Sequence, residues 1–598
     1  MAQLHSIKRR RTILKIIGIS AFYHDSAAAL IIDGKIIACA QEERFSRIKN
    51  DADFPKQALE FCLEEGSKYL GEKLNMEDID HLVFYEKPIL KFERIILTSL
   101  RYFPKTFWFF VKSMMTWFSD KLWIKGKLAK LSGVSPEKIL FSKHHLSHAC
   151  SSYFCTKFQD SAVLTIDGVG EWATTTIGHA QGNNIRMLEE IRFPNSIGLL
   201  YSTITAFLGF EVNEGEYKVM GMASYGKPIY IEKIKEIFKL NEDASFTNVE
   251  KFYAYLYDPA KSYTKELEKL FGKPRERGDR FFVDPEARDR DQHYADIAKS
   301  LQLITEEAVL KLAKRAKEIT GSQNLCLAGG VALNCVANER ILRELDFQNV
   351  FIQPAAGDAG GALGAAFYAH NIYLNNPKID SGFSHPYWGS EIDDAEIEAE
   401  IKTRGITNYK KFENFDDLLK ELAAILSQEK VIGWCQGRFE WGPRSLGARS
   451  IIASASKASM RDTVNLKIKF REAFRPFAPA VIEQKAEEYF DLMHSTQTSA
   501  YKYMLATCQV KQADKLEAIT HVDGSGRVQT VNPETNEKFY SLLKEYENIT
   551  GIPVLINTSF NLRGEPIVTT CNNALNTFFK SGLDVLAVNN YLIWKSES

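Results

Sequence analysis

Residues 162–178 read Ala-Val-Leu-Thr-Ile-Asp-Gly-Val-Gly-Glu-Trp-Ala-Thr-Thr-Thr-Ile-Gly, which is an apolar run, a turn at Asp167-Gly168 and a second β-rich run. Val, Ile and Thr favour extended backbone, whereas Asp and Gly favour turns. Gly182-Asn183-Asn184 then predicts a tight turn before a third strand through Ile185 to Ile191. The stretch therefore predicts a strand, an Asp-bearing turn and a hairpin.

The same order of elements opens the chain. A buried-strand pattern from Ile13 to Ser20 is followed by a polar turn at His24-Asp25-Ser26, a second strand and Asp33-Gly34, which is a strong hairpin signal. The two copies lie roughly 140 residues apart. They predict an α/β fold with a duplicated domain whose polar turns oppose each other across a cleft, a layout that resembles the actin and sugar-kinase superfamily.

Composition limits the classes of function. The chain has 598 residues, too many for one core, and its 75 Lys and Arg nearly balance 76 Asp and Glu, so we expect no nucleic-acid partner. Nine scattered cysteines without a CxxC pair, and no visible export signal, predict a cytoplasmic protein with reduced thiols. The stretch 375–390, with two prolines and no long apolar run, predicts a boundary between domains spanning 1–378 and 390–598.

An aromatic-rich segment at about 84–128 lies between the two copies. Basic residues such as Lys91, Arg101 and Lys112 interrupt its apolar runs well short of the roughly 20 residues that a membrane span needs. We therefore expect no membrane span. The pattern favours a helical insertion packed on the domain over a helix on a membrane surface, and a wall of an acceptor pocket is a third interpretation.

Candidate metal ligands begin with His144 and His148. On a helix these two side chains share one face, and two imidazoles can hold one metal ion, although two polar helix residues can share a face without binding anything. No glutamate of an HExxH motif accompanies them, so a peptidase is disfavoured. Asp358, in the glycine-rich corner 357–361, is a candidate third ligand or a helix cap.

Two further stretches predict ligand contacts. The strand, Gly-Gly turn and helix start around Gly329, Gly330 and Asn334 suit a phosphate or nucleotide, or form a plain strand–helix corner. The glycine-rich loop 213–228, which carries Glu216 and Lys218, is typical of a polar active-site loop or of a solvated surface turn.

The second predicted domain carries the densest group of cations in the chain. Guanidinium forks match phosphate oxygens, so this group predicts a site for a small phosphorylated ligand and a nucleotide. A nucleic-acid groove is the weaker interpretation, because acidic and aromatic residues interrupt the group. The amides and hydroxyls of Asn557 and Ser559 are candidates to contact a base, ribose or carbonyl. The cations are Arg438, Arg444, Arg449, Lys467, Lys469, Arg471 and Arg475.

Taken together in this order, the motifs resemble the O-carbamoyltransferases of secondary metabolism and of nodulation-factor decoration. The resemblance covers nearly the whole chain. It implies an N-terminal domain like the tRNA threonylcarbamoyl transferase and an α/β C-terminal domain like the threonylcarbamoyl-adenylate synthase. The motifs that carry it are His24-Asp25-Ser26, 42–49, 144–148, Asp167-Gly168, 216–225, 328–334, 357–361, 442–447 and 557–561.

The resemblance also implies a reaction in two steps. The C-terminal domain would form carbamoyl-adenylate from carbamoyl phosphate and ATP, with Mg²⁺ as the ATP-bound ion. The N-terminal domain would then pass the carbamoyl group to a hydroxyl of a small-molecule acceptor and release AMP. Such an enzyme is an ATP-dependent carbamoyltransferase. The resemblance is compatible with a homodimer.

Roles for individual residues follow from the same resemblance. Fe²⁺, or another divalent transition metal, would be held by His144, His148 and Asp358, with Asp167 as a fourth ligand. His24 is the candidate general base, although it is also compatible with a polar turn residue that satisfies nearby backbone. In the transfer step Lys49 and Lys218 would stabilise the phosphate or the carbamoyl oxygen, and Glu216 would position the acceptor.

Two other classes of function compete with this interpretation. A tRNA-modifying transferase would use the same chemistry, but the chain has no extended basic surface for RNA. A non-catalytic, ATP-binding regulator on the actin-like fold is the other class, but it would not explain the arginine-rich second domain.

Overall fold

A computed structural model of the chain describes residues 13–119, 123–258, 260–279, 281, 285–469, 474–493 and 498–595. Of the predicted site residues, Arg471 lies outside the described residues, and so does the side chain of Lys467.

The first half contains two five-stranded sheets with the same topology. In the first, β1 pairs antiparallel with β2, which pairs with β3, while β4 and β5 extend the other side in parallel. These strands are β1 (Lys15–Ser20), β2 (Ala27–Ile32), β3 (Lys35–Gln41), β4 (His81–Phe84) and β5 (Ile139–Phe141).

The second sheet repeats this order with β6, β7 and β8 antiparallel and β11 and β12 parallel. The predicted duplication of an α/β, actin-like domain is therefore confirmed. The strands of this sheet are β6 (Asp160–Ile166), β7 (Ala173–Gln181), β8 (Asn184–Arg192), β11 (Asn324–Ala328) and β12 (Asn349–Ile352). A separate two-stranded ribbon consists of β9 (Phe238–Leu240) and β10 (Phe246–Asn248).

Helices surround these sheets, and two of them, α6 and α13, pack on each other. The helix α13 is almost entirely Gly and Ala, and it is buried along its whole length. A Cβ built on Gly364 would overlap the carbonyl oxygen of Ser147 in α6, so only glycine allows this close approach. The N-terminal turns of both helices consequently meet, which brings Asp358 to His144.

The helices of the first half are α1 (Glu43–Ser46), α2 (Lys56–Leu70), α3 (Pro88–Arg101), α4 (Phe107–Ser119), α5 (Ile124–Ser132), α6 (His144–Tyr153), α7 (Ile197–Phe207), α8 (Glu216–Ala223), α9 (Ile231–Ile237), α10 (Lys265–Phe271), α11 (Pro285–Thr320), α12 (Cys335–Glu344) and α13 (Asp358–Phe367). The predicted insertion is thus helical, and it consists mainly of α3, α4 and the start of α5. A π-helical turn, Tyr368–Tyr373, follows α13.

The second half is built on a separate eight-stranded mixed sheet in the order β13-β23-β22-β14-β15-β21-β16-β20, beside a three-stranded sheet β17-β18-β19. The strands are β13 (Tyr409–Lys411), β14 (Ile432–Cys435), β15 (Arg449–Ser454), β16 (Ala478–Ile482), β17 (Phe490–Asp491), β18 (Cys508–Val510), β19 (Ser525–Gly526), β20 (Gln529–Val531), β21 (Val554–Ser559), β22 (Val585–Val588) and β23 (Tyr591–Trp594). The helices are α14 (Asp394–Arg404), α15 (Phe415–Ser427), α16 (Ala458–Asp462), a π-helical turn Thr463–Ile468, α17 (Ala486–Tyr489), α18 (Pro533–Thr550) and α19 (Cys571–Lys580).

The segment 375–390, where the sequence predicts the boundary, has no helix or strand. The halves nevertheless pack against each other. The Arg44 guanidinium, which is 1% exposed, donates to the carbonyl of Gly442 at 2.6 Å, and the Phe45 and Phe439 rings lie 6.0 Å apart. The two domains therefore share one interior.

Two sequence-based expectations concern the whole chain. All nine cysteines are buried and none forms a disulfide. Within the described residues, no helix is both long and apolar enough to cross a membrane.

Candidate active site

Four predicted side chains converge where α6 and α13 meet. The Nε2 atoms of His144 and His148 lie 3.1 Å apart, and Asp167 Oδ2 lies 3.0 Å from His144 Nε2. Asp358 Oδ1 lies 3.6 Å from His144 Nε2 and 3.5 Å from His148 Nε2. One ligand atom from each residue falls within 4.8 Å of all the others. The side chains come from one helix, the turn after β6 and the start of α13.

The electrostatics of this cluster favour a cation. Burial alone would lower the pKa of His144, but Asp358 and Asp167 outweigh burial and raise that pKa to about 9. Burial opposes the ionised form of Asp167, yet the hydrogen bond from His144 and the field of His148 hold its pKa well below the ordinary value. Two carboxylates and two imidazoles that present their ligand atoms to one point fit a divalent transition metal.

Glu171 supports the cluster from behind, and the sequence alone does not reveal this role. Its carboxylate accepts the backbone N–H of His144 at 3.0 and 3.2 Å and the backbone N–H of Lys87 at 2.7 Å. It is 5% exposed, so it is a buried carboxylate at the N-terminus of α6. Its position in the glycine-containing turn after Asp167 is the signal that the sequence offers.

We expect Glu171→Ala to loosen the first turn of α6 and to weaken metal binding by about 10- to 100-fold, because residues that orient ligands have effects of this size. Loss of the cap should also lower the free energy of unfolding by about 1 kcal/mol. Metal titration and thermal denaturation measure the two effects. Glu190→Ala, on the exposed face of β8, is the matched control, and equal metal affinity in both variants would contradict the role.

His24 stands beside the cluster in the turn after β1. Its Nε2 lies 3.9 Å from Asp358 Oδ2, and its Nδ1 lies 3.1 Å from Asp25 Oδ2. Burial alone would lower the pKa of His24, but Asp358 and Asp25 raise it to about 9. The ring is then protonated at neutral pH. The predicted general-base role requires another positive charge beside Asp358, which would lower this pKa.

A single cavity of about 1460 Å³ joins this cluster to the second half of the chain. His24, Asp167 and Asp358 lie on its wall, and so do residues of the cationic group. Two sites that the sequence places in different domains therefore open into the same space. The other predicted residues on its wall are Lys49, Glu216, Lys218, Gly330, Asn334, Arg444, Lys469, Arg475, Asn557 and Ser559.

Several of these residues already have partners. Lys49 is ion-paired with Glu214, and Glu216 accepts the Ser202 hydroxyl at 2.9 Å and the backbone N–H of Asn213 at 3.1 Å. Asn334 caps α12 through the N–H of Ala337. These contacts fix the loops of the cavity wall.

The cationic end of the cavity consists of Arg444, Arg475 and Arg527. Burial, together with the nearby Arg527, lowers the pKa of Arg444 to about 9. The Nε atoms of Arg444 and Arg527 are buried without a hydrogen-bond partner among the described residues. Buried guanidinium N–H groups of this kind are suited to donate to an anionic ligand. The sequence analysis missed Arg527, which follows the Gly524-Ser525-Gly526 turn.

Lys469 and Ser559 form the adjoining wall. The Lys469 ammonium donates to the Ser559 carbonyl at 2.7 Å and to Asn561 Oδ1 at 2.6 Å. Nearby, Asn557 donates to Gln529 Oε1 at 2.6 Å, while its own Oδ1 is buried without a partner among the described residues. This wall offers both donors and acceptors to a ligand.

Three predicted ligand contacts do not line the cavity. Arg449 is 0% exposed and donates to the carbonyls of Gly437 and Ala448 at 2.9 and 3.0 Å. Arg438 pairs with Glu65 of α2 at 2.8 Å. A Cβ on Gly329 would overlap the Ile166 carbonyl, so close packing accounts for the glycine at this position. Their prediction as ligand contacts does not agree with these positions.

The fold is α/β, with two sheets of the same topology in the first half of the chain, a separate mixed sheet in the second half, and one large cavity between them. The family model described as carbamoyltransferase N-terminus matches residues 15–367, and the one described as carbamoyltransferase C-terminus matches residues 423–595. The chain belongs to the carbamoyltransferase family, as its motifs predict.

Individual known proteins resemble this chain to different extents. An uncharacterized protein, sll1178, of Synechocystis sp. is 42% identical and covers 97% of each chain. Nodulation protein NolNO of Sinorhizobium fredii is 35% identical over 96% of this chain and 80% of its own length. Among solved structures, ROK hexokinase from Thermus thermophilus matches 60% of this chain and 99% of its own at 17% identity and a TM-score of 0.28.

Proposed function

We propose that this protein makes carbamoyl-adenylate from carbamoyl phosphate and ATP, then transfers the carbamoyl group to a hydroxyl of a small-molecule natural product. The single observation that carries the proposal is the shared cavity, in which an arginine cluster and a histidine–aspartate cluster face the same space. An adenylate formed at one end can reach the other without leaving the protein.

Atom balance sets the order of bonds in the first step. Water must displace phosphate from carbamoyl phosphate, which leaves carbamate. A carbamate oxygen then attacks the α-phosphorus of ATP, and pyrophosphate leaves. Arg444, Arg475 and Arg527 would neutralise the anionic groups that this step brings together, and Mg²⁺ would accompany ATP.

In the second step the acceptor oxygen attacks the carbamoyl carbon and AMP leaves with the bridging oxygen. A divalent transition metal would supply a Lewis acid for the leaving phosphate, and the residues that would hold it are His144, His148, Asp167 and Asp358. The resemblance implies Fe²⁺, and Zn²⁺ is equally compatible with these ligands. His24 would accept the proton of the acceptor hydroxyl. Lys49 and Lys218 would face the carbamoyl or phosphate oxygens, and Glu216 would orient the acceptor.

The direct test supplies the purified protein with ATP, carbamoyl phosphate and a panel of hydroxylated metabolites, with bulk tRNA as a separate acceptor. We expect AMP release that depends on carbamoyl phosphate, and a carbamoyl adduct of one metabolite by mass spectrometry. Carbamoylated tRNA would instead identify a tRNA-modifying enzyme. Absence of AMP release dependent on carbamoyl phosphate would leave an ATP-binding regulator as the better interpretation.

A further inference from the structure

We infer that the helical insertion is a docking surface for an anionic lipid bilayer. The insertion surface is defined as the exposed side of α3, α4 and the start of α5. The inference goes beyond carbamoyl transfer and does not depend on it.

Large apolar side chains are concentrated on this surface. Trp108 is 79% exposed and Ile89 is 74% exposed, whereas side chains of this size are ordinarily much more buried. On α3, residues 89, 97 and 100 share one face, and on α4 residues 108, 112 and 115 share one face. The most exposed of these apolar residues are Ile89, Leu100, Phe103, Trp108, Met115 and Trp123.

The opposite side of the hairpin already packs on the protein. The Phe92 and Trp117 rings lie 5.0 Å apart between the two helices, and the Thr106 hydroxyl donates to the Ser99 carbonyl. Arg94 Nη1 donates to the Gly170 carbonyl at 3.0 Å, which attaches α3 to the turn behind the histidine cluster. The exposed apolar residues are therefore not needed for folding the hairpin onto the domain.

The insertion lies apart from the large cavity. None of its described residues between 88 and 132 lines the 1460 Å³ cavity. The predicted acceptor-pocket wall is therefore not part of this cavity, and the apolar residues named above are exposed.

Charge identifies the partner. Residues 87–130 contain ten Lys and Arg (87, 91, 94, 101, 105, 112, 121, 125, 127 and 130) but only Glu93 and Asp120 as acids, in a chain whose net charge is −1. Lys105, Lys112, Lys125 and Lys130 are exposed beside the apolar residues. Aromatic and aliphatic side chains surrounded by lysines suit the interface of an anionic membrane, where apolar groups enter the headgroup layer and ammonium groups meet lipid phosphates.

Co-sedimentation of the full-length protein with vesicles tests the inference. One vesicle is phosphatidylcholine alone, and the other contains about 30 mol% phosphatidylglycerol. We expect at least about tenfold tighter binding to the anionic vesicle, weakened by high salt, with a blue shift of tryptophan fluorescence.

Variants separate this surface from nonspecific binding. Trp108→Ala with Met115→Ala, and Lys105→Glu with Lys112→Glu, should each lower anionic-vesicle binding by at least about tenfold and leave the thermal unfolding temperature unchanged. The matched controls, Ile229→Ala and the pair Lys56→Glu with Lys420→Glu, change side chains that are exposed elsewhere. The inference would be overturned if variants and controls lost binding equally, or if the protein did not bind anionic vesicles. It would also be overturned if the variants lost a homodimer of this protein but kept their vesicle binding.

Discussion

His144→Ala should remove the bound metal and lower carbamoyl transfer by at least about 100-fold, while carbamoyl-phosphate-dependent ATP–pyrophosphate exchange continues. The physical reason is the convergence of two imidazoles and two carboxylates within 4.8 Å, because three remaining ligands hold a cation less tightly than four. Exchange should persist because the arginine cluster lies at the other end of the cavity.

Metal analysis of the purified variant, followed by the two half-reactions measured separately, checks this expectation. His179→Ala is the matched control, since His179 lies on β7 and pairs with Asp160 away from the cavity. Treating the unaltered protein with a chelator should reproduce the loss of transfer, and adding back Fe²⁺ or Zn²⁺ should restore it. Full-rate transfer by the metal-free His144→Ala variant would refute the metal's role.

The histidine–aspartate cluster shows how far sequence reasoning reaches. Helical spacing places His144 and His148 on one face, and the internal duplication, which the two matching sheet orders confirm, places Asp167 in a polar turn, whereas the role of these residues as metal ligands comes from the family resemblance. These signals are local or repeated, so one chain is enough to detect them. Glu171 is different, because its role depends on contact with the first turn of a helix that begins 27 residues earlier.

The cationic group shows where sequence reasoning fails. Arg444 and Arg449 are five residues apart, yet one reaches the cavity and the other binds backbone carbonyls of its own turn. A guanidinium has five donors that satisfy a phosphate or a carbonyl equally well. Only the tertiary fold decides between these uses, and it also brings in Arg527 from a distant turn.

The insertion illustrates a third limit. Its mixture of aromatic and basic residues predicts a helical segment, which the structure contains, but periodicity cannot say which face meets the protein. The hydrogen bond from Arg94 to the Gly170 carbonyl shows which side of α3 meets the domain, and Trp108 on α4 is exposed.

Arg444→Ala should lower carbamoyl-phosphate-dependent ATP–pyrophosphate exchange by about 100- to 1,000-fold, the usual cost of removing one preorganised charged donor from a reacting anion. Arg444 is buried, Arg527 lies close enough to lower its pKa, and its Nε has no partner among the described residues. Arg444 and Arg527 repel each other, and an anionic ligand bound beside them would offset that repulsion.

The same variant has a second expected signature, higher thermal stability without ligand, because removing one member of a buried like-charge pair relieves repulsion. Arg444→Lys should recover part of the exchange rate, since it keeps the charge but loses the guanidinium fork. Arg438→Ala is the control: it breaks the ion pair with Glu65 outside the cavity and should leave exchange within about threefold of the unaltered protein. If Arg438→Ala abolished exchange and Arg444→Ala did not, the arginines of the cavity would not be the adenylate-forming site.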